Sequence, residues 1–179
     1  MTLDFKDGPG SFKPEEVENV RWYHNDGAWR ILLKKEKWTA WTNSDAKCTN
    51  CVVEVSAEGV AGPDDVSYGI FFRYKDNQNY YAARFSDNGK YSIGKMITGK
   101  WTDLAAWTSS SAIKSGKNNT NVLRVVAVGN AITMYANGQQ LITVNDDNLQ
   151  EGSVCMVATT YADAGFEAAF RKLQVWQAK

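Results

Sequence analysis

The stretch Leu123-Arg-Val-Val-Ala-Val-Gly-Asn-Ala-Ile-Thr-Met-Tyr-Ala-Asn-Gly138 decides the fold class. Its first half sets Leu123, Val125 and Ala127 on one side of an extended chain, with Arg124 on the other. Its second half does the same with Ile132, Met134 and Ala136 against Thr133 and Tyr135. A period of two is what a half-buried antiparallel sheet requires, because successive side chains of a strand point to opposite faces. Gly129-Asn130 separates the two runs and Asn137-Gly138 ends the second. Asn-Gly is a strong hairpin signal, since both central positions of a type I′ turn need positive φ.

Outward from this hairpin the same grammar continues. Cys51–Ala57, Ser67–Tyr74, Asn79–Ser86, Tyr91–Ile97, Gln139–Val144, Ser153–Tyr161 and Glu167–Trp176 read as strands. Asp87-Asn88-Gly89 and Thr98-Gly99 punctuate them as turns. Toward the start, Ala28–Leu33 and Lys37–Trp41 read as two more strands, and Ala61–Asp65 as a turn. Residues 1–27 read as an irregular segment that packs on the rest, and Thr108–Asn121 as a long polar loop. No apolar stripe of helical period runs for ten residues or more. About eleven strands with turns between them predict an all-β, two-sheet antiparallel sandwich or a barrel. With no internal repeat or dividing linker, residues 1–179 read as one domain.

Composition narrows the function classes. Hydrophobic content of 44% and charged content of 22% fit a folded globule. Twenty basic and twenty acidic residues cancel, so the clustered basic excess of a nucleic-acid binder is missing. No run approaches the roughly 20 apolar residues of a membrane helix. The opening MTLDFKDGPGSF lacks the basic and apolar blocks of a secretory signal, which predicts a cytoplasmic chain or export by another route. Cys48, Cys51 and Cys155 are expected to pack in strands as small hydrophobes. Cys48-Thr-Asn-Cys51 has redox or half-zinc spacing, but the chain offers only one further cysteine and His24 to complete four ligands.

Catalytic signatures are sparse. His24, the single histidine, sits in what reads as a solvated turn. Glu54 and Glu58 are four residues apart, so strand alternation puts both on one side; they are the acid pair that a glycosidase would need. Asp64-Asp65 and Asp146-Asp147 read as turn residues that could join carbonyls around Ca²⁺, although no spaced Asp-x-Asp array accompanies them. No cofactor or metal site is otherwise predicted, and no catalytic residue is assigned.

The run Phe71-Phe-Arg-Tyr-Lys-Asp-Asn-Gln-Asn-Tyr-Tyr-Ala-Ala-Arg-Phe85 reads as a second hairpin. Simple alternation places Arg73 and Arg84 on one sheet face. Together with Tyr68–Tyr81, Asp87–Lys95, Gly99–Trp101 and the opening hairpin, it resembles the laminin-G-like, concanavalin-A-like lectin/glucanase superfamily, nearest to bacterial modules appended to larger proteins. The resemblance implies a jelly-roll sandwich with a solvent-facing concave sheet where relatives bind glycans or proteins, some through Ca²⁺. The hydrolases' Glu-x-Asp-x-Glu strand is absent, and Arg171-Lys172 follows Phe170 where relatives commonly carry Asp-Asn. The expectation is therefore a non-catalytic carbohydrate-binding domain using Arg73, Arg84 and Tyr80, with Trp38, Trp41 and Trp101 as platforms. The alternatives are a protein-interaction domain, oligomeric or not, and a hydrolase with an unrecognised acid pair.

Overall fold

A computed structural model describes residues 1–178. Fifteen strands follow one another: β1 (Thr2–Asp4), β2 (Glu15–Glu16), β3 (Val20–Asn25), β4 (Ala28–Leu33), β5 (Thr39–Cys48), β6 (Cys51–Ala61), β7 (Val66–Asp76) and β8 (Asn79–Phe85). The remainder are β9 (Lys90–Ile97), β10 (Lys100–Ser109), β11 (Asn121–Val128), β12 (Ala131–Ala136), β13 (Gln139–Asn145), β14 (Gly152–Thr160) and β15 (Phe166–Gln177). Among the described residues no helix is long and apolar enough to cross a membrane.

The strands form two antiparallel sheets. The nine-stranded sheet has the order β13-β12-β11-β6-β15-β4-β3-β2, with β1 also paired to β15. The six-stranded sheet has the order β10-β9-β8-β7-β14-β5. The opening hairpin is β11–β12, with Leu123 opposite Ala136 and Ala127 opposite Ile132, all buried as alternation requires. The first 27 residues are more regular than their composition suggests. They supply three strands to the larger sheet, and His24 lies within β3, its Nε2 bonded to the Phe5 carbonyl at 2.7 Å.

The core lies between the sheets. Tyr68, Ile70, Phe72, Tyr81, Ala83, Phe85, Ile93 and Met156 enter from the smaller one. Trp29, Ile31, Val53, Val55, Val125, Phe166, Phe170 and Leu173 meet them from the larger. Each large aliphatic or aromatic side chain among these contributes about 1.5–3 kcal/mol on burial, which makes this two-sided layer the main favourable term.

Two features depart from simple alternation and set up the site. Cys48 and Cys51 do not pack as separate thiols: they form a disulfide across the Thr49-Asn50 turn between β5 and β6. Cys155 is the free, buried cysteine, and burial pushes its thiol pKa up to about 12. In β7 the register shifts between Phe72 and Asp76, and Arg73 adopts φ 48°. Such a left-handed residue inside a strand is costly for a side chain with a Cβ, and marks a bulge. Gly152 on β14 accommodates it, because a Cβ there would lie 2.2 Å from the Arg73 carbonyl carbon.

Candidate functional site

The bulge separates the two arginines that alternation put together. Arg73 is fully buried. Its Nε and Nη2 donate to the Thr49 carbonyl at 3.2 and 2.8 Å, Nη2 also to Gly129 O at 2.9 Å, and Nη1 to Leu149 O at 3.0 Å. The shared-face expectation is thus corrected: the bulge turns Arg73 into the loops at one end of the sandwich. Tyr74 takes the outward position instead, beside Phe71 and Trp41. Four bonds to carbonyls are the favourable term set against the strained φ and the buried charge.

Arg84 stays on the face of the six-stranded sheet turned away from the core. Register defines the surroundings: Arg84 is opposite Gly69 on β7 and Ser92 on β9, while Ala82 is opposite Phe71 and Gly94. Across β14 and β5, Gly69 leads to Val157 and then Trp41. The floor is therefore built of small side chains, with aromatic rings standing around it. Trp41, Tyr74, Tyr80 and Trp101 pack on a small cluster of Phe71, Ala82, Cys155 and Val157, separate from the main core. Phe71 and Tyr80 stack with centroids 4.1 Å apart, and Trp41 lies 5.8 Å from Phe71. Burial raises the pKa of the Tyr74 and Tyr80 hydroxyls, so both remain neutral hydroxyls.

On the other flank, β10 brings two indoles to Arg84. Its guanidinium carbon is 4.6 Å from the Trp101 ring centroid and 5.4 Å from that of Trp107. Trp101 lies over Gly94, where a Cβ would come within 2.2 Å of its Cζ2, and its Nε1–H donates to Asp103 at 2.7 Å. Arg84 Nη1 donates to the Tyr161 hydroxyl at 3.0 Å, and that hydroxyl is 2.9 Å from Ser67 Oγ. A cleft of about 310 Å³ opens beside Trp107 and Tyr161, with Asp65, Ser86, Asn88 and Lys90 on its walls.

Of the six residues singled out from the sequence, Arg84, Tyr80, Trp41 and Trp101 lie on this face. Trp38 lies elsewhere: it follows the β4–β5 turn, packs against the main core and carries Lys35 Nζ 4.6 Å above its ring. Trp107, 37% exposed, and Tyr161 were not singled out. Trp107 sits on a strand that alternation does not reveal, because the β9–β10 pairing slips between Asp103 and Ala105 and again before Thr108. The aromatic spacing Trp101–Trp107 around Thr-Asp-Leu-Ala-Ala is the one signal that could have found it.

Neither acid pair lies on this face. Glu54 and Glu58 alternate with Val53, Val55 and Ala57 of the core, so they share the outer side of the nine-stranded sheet, as alternation predicts. Glu54 pairs with Arg124 and Glu58 with Arg171, both at 2.5 Å. Asp146 accepts from Tyr81 Oη and Lys95 Nζ, and Asp64 faces Lys117. Among the described residues no three His, Cys, Asp or Glu side chains cluster as a metal site would need.

No protein-family model matches the chain. A curated relative, a TPR repeat-containing protein of Treponema pallidum (strain Nichols), is 29% identical over 113 residues, 61% of this chain. The match spans 14% of that protein's length. Among solved structures, a carbohydrate-binding module from Bacillus subtilis superposes with a TM-score of 0.73 at 17% identity, over 88% of this chain and 91% of that one. A Bacillus subtilis protein of unknown function with a galectin-like fold gives 0.73 at 10% identity, over 99% and 94%. The β-glucanase of Bacillus licheniformis gives 0.67 at 12% identity, over 100% and 98%. These likenesses establish the fold: an antiparallel jelly-roll sandwich of the concanavalin-A-like kind.

Proposed function

We propose that the outward face of the six-stranded sheet binds glycans, and that the chain is a non-catalytic, lectin-like carbohydrate-binding domain. The observation that carries this reading is the meeting, on one small-floored face, of flat aromatic rings with an arginine held between two indoles. A pyranose offers an apolar C–H face to an aromatic ring and a rim of hydroxyls to fixed donors. Tyr80, Trp41, Trp101 and Trp107 supply the rings; Arg84 and Tyr161 supply the polar partners. A solved structure of the same fold is named as a carbohydrate-binding module, which supports the same reading.

The fold also occurs in a glucanase, so catalysis is weighed from the residues. Glycosidases set two carboxyl groups roughly 5–10 Å apart across the scissile bond. The central outward positions Gly69, Phe71, Ala82, Arg84, Ser92, Gly94, Cys155 and Val157 include no Asp or Glu. Glu54 and Glu58 belong to the opposite sheet, each ion-paired to an arginine. A glycan array probed with the wild-type protein, Trp101→Ala and Arg84→Ala tests the proposal. Binding that both variants lose is expected. Absence of binding to every glycan, or equal signals from all three proteins, refutes it.

A further inference from the structure

The nine-stranded sheet is wider than the sheet that covers it. β5, an edge of the six-stranded sheet, packs against β4 and β15, whereas the larger sheet runs on past β4 through β3 to β2. The inner face of β3 and β2 is therefore an overhang beyond the β5 edge. Register puts Trp22 on that inner face: it is opposite Ile31 of the core on β4, and opposite Glu15 on β2. Directly opposed residues of antiparallel strands have their side chains on the same face. An exposed carboxylate thus stands beside a half-buried indole, on a face that is apolar elsewhere.

A cleft of about 270 Å³ opens there. Phe12 and Trp22 line it with half-buried rings, Trp41 bounds it from β5, and the buried Trp29 forms its closed end. Trp29 is fixed by Phe12, with ring centroids 5.1 Å apart, and by its Nε1–H, which donates to Thr42 Oγ1 at 2.8 Å. Glu15 and Lys13, both exposed, complete the lining. The volume falls just below the roughly 300–1,000 Å³ of sites for drug-sized ligands, which suits a small head group.

Several aromatic rings and one carboxylate around a small space match the chemistry of a quaternary ammonium. Ring faces are the negative part of the aromatic quadrupole, and a fully alkylated nitrogen has no N–H that needs an acceptor. The chain brings no cation of its own to these rings. Among the described residues its cation–π pairs are Arg21 on Tyr23, Lys35 on Trp38, Arg84 on Trp101 and Trp107, and Lys117 on Phe166. Among the same residues Glu15 makes no ion pair, whereas Glu16 beside it holds both Arg21 and Lys34.

We infer that this cleft binds a trimethylammonium group carried by a zwitterion of the phosphocholine type. The rings and Glu15 take the ammonium, and Lys13 takes the phosphate. The site does not rest on the glycan-binding reading; Trp41 alone borders both.

Phosphocholine, choline and neohexyl phosphate, in which carbon replaces the charged nitrogen, are titrated by calorimetry into the wild type, Glu15→Gln and Trp22→Leu. The wild type is expected to bind phosphocholine about tenfold or more tightly than the carbon isostere, because rings and carboxylate attract only the cation. Choline, which offers Lys13 nothing, is expected to bind several-fold more weakly than phosphocholine. Glu15→Gln, at an exposed position and so folded, is expected to lose affinity several-fold. Trp22→Leu is expected to lose about tenfold, with circular dichroism reporting its fold. Sedimentation with phosphatidylcholine vesicles separates a lipid head group from a soluble ligand as the source. Three results overturn the inference: no binding of phosphocholine or choline, an isostere bound as tightly as phosphocholine, or full affinity in Glu15→Gln. Choline bound more tightly than phosphocholine overturns the part given to Lys13. The glycan array, read through Arg84 and Trp101, is decided separately from all of these.

Discussion

Arg73 and Arg84 sit on the two strands of one hairpin and have opposite fates. The first is locked inside by three backbone carbonyls; the second lies outside against two indoles and donates to the Tyr161 hydroxyl. The bulge at Arg73 makes the difference: it sends Arg73 into the loops and gives Tyr74 the outward position. An arginine's role is set by what satisfies its donors. A caged guanidinium is a fastener for loops; one stacked on indoles steadies an aromatic face.

Breaking the inner arginine has the largest expected effect on stability. Arg73→Met leaves the carbonyls of Thr49, Gly129 and Leu149 without their donors and is expected to cost about 4 kcal/mol. Urea denaturation measures it, and the protein that remains folded keeps wild-type glycan affinity. The next effect probes the same cage from its rim. Replacing Cys48 and Cys51 with serine frees the turn that presents the Thr49 carbonyl, at an expected cost of about 2 kcal/mol on the loop-entropy account. In the wild type, a thiol reagent is expected to find no reactive group in the native state and one, Cys155, after denaturation.

A smaller effect lies on the strut behind the cage. Tyr81 Oη donates to Asp146 and accepts the Leu149 N–H, while Lys95 also holds Asp146. Burial raises the Asp146 pKa, but the hydrogen bonds from Lys95 and Tyr81 outweigh it and hold the carboxyl below its ordinary value. A depressed folded pKa gives stability that is complete above the unfolded value near 3.8 and is lost as pH falls through the folded one. Asp146→Asn is expected to cost about 1–2 kcal/mol at neutral pH, and the gap from wild type to close below pH 4; urea midpoints across that range report it. The smallest stability change belongs to the outer face. Gly94→Ala pushes the Trp101 ring off its floor, with an expected cost of about 1 kcal/mol and a roughly tenfold loss of glycan affinity.

Much of the fold was legible because binary alternation is strong where strands are straight. The β11–β12 hairpin, and the pairing of β7 with β8 across Asn77-Gln78, follow from residue type alone. What stayed hidden is tied to irregular backbone. The bulge at Arg73 has no sequence mark, since arginine is an uncommon residue at positive φ and the compensating carbonyls come from distant turns. β10 slips register twice, so Trp107 escaped notice although Trp101 on the same strand did not. Trp38 shows the converse: its type suggests a platform, but its place after a turn sends it toward the core. The Cys48–Cys51 bridge could not be told from two packed thiols by spacing, because that choice depends on the two-residue turn bringing the side chains together.

The seven tryptophans provide the most direct test of where ligand sits. Indole N–H resonances, assigned by single Trp→Phe substitutions, are followed by NMR while the best glycan from the array is titrated in. Shifts of Trp41, Trp101 and Trp107 are expected, with Trp22, Trp29, Trp38 and Trp176 unmoved. Shifts confined to that second group would contradict it and place binding away from the outward face of the six-stranded sheet.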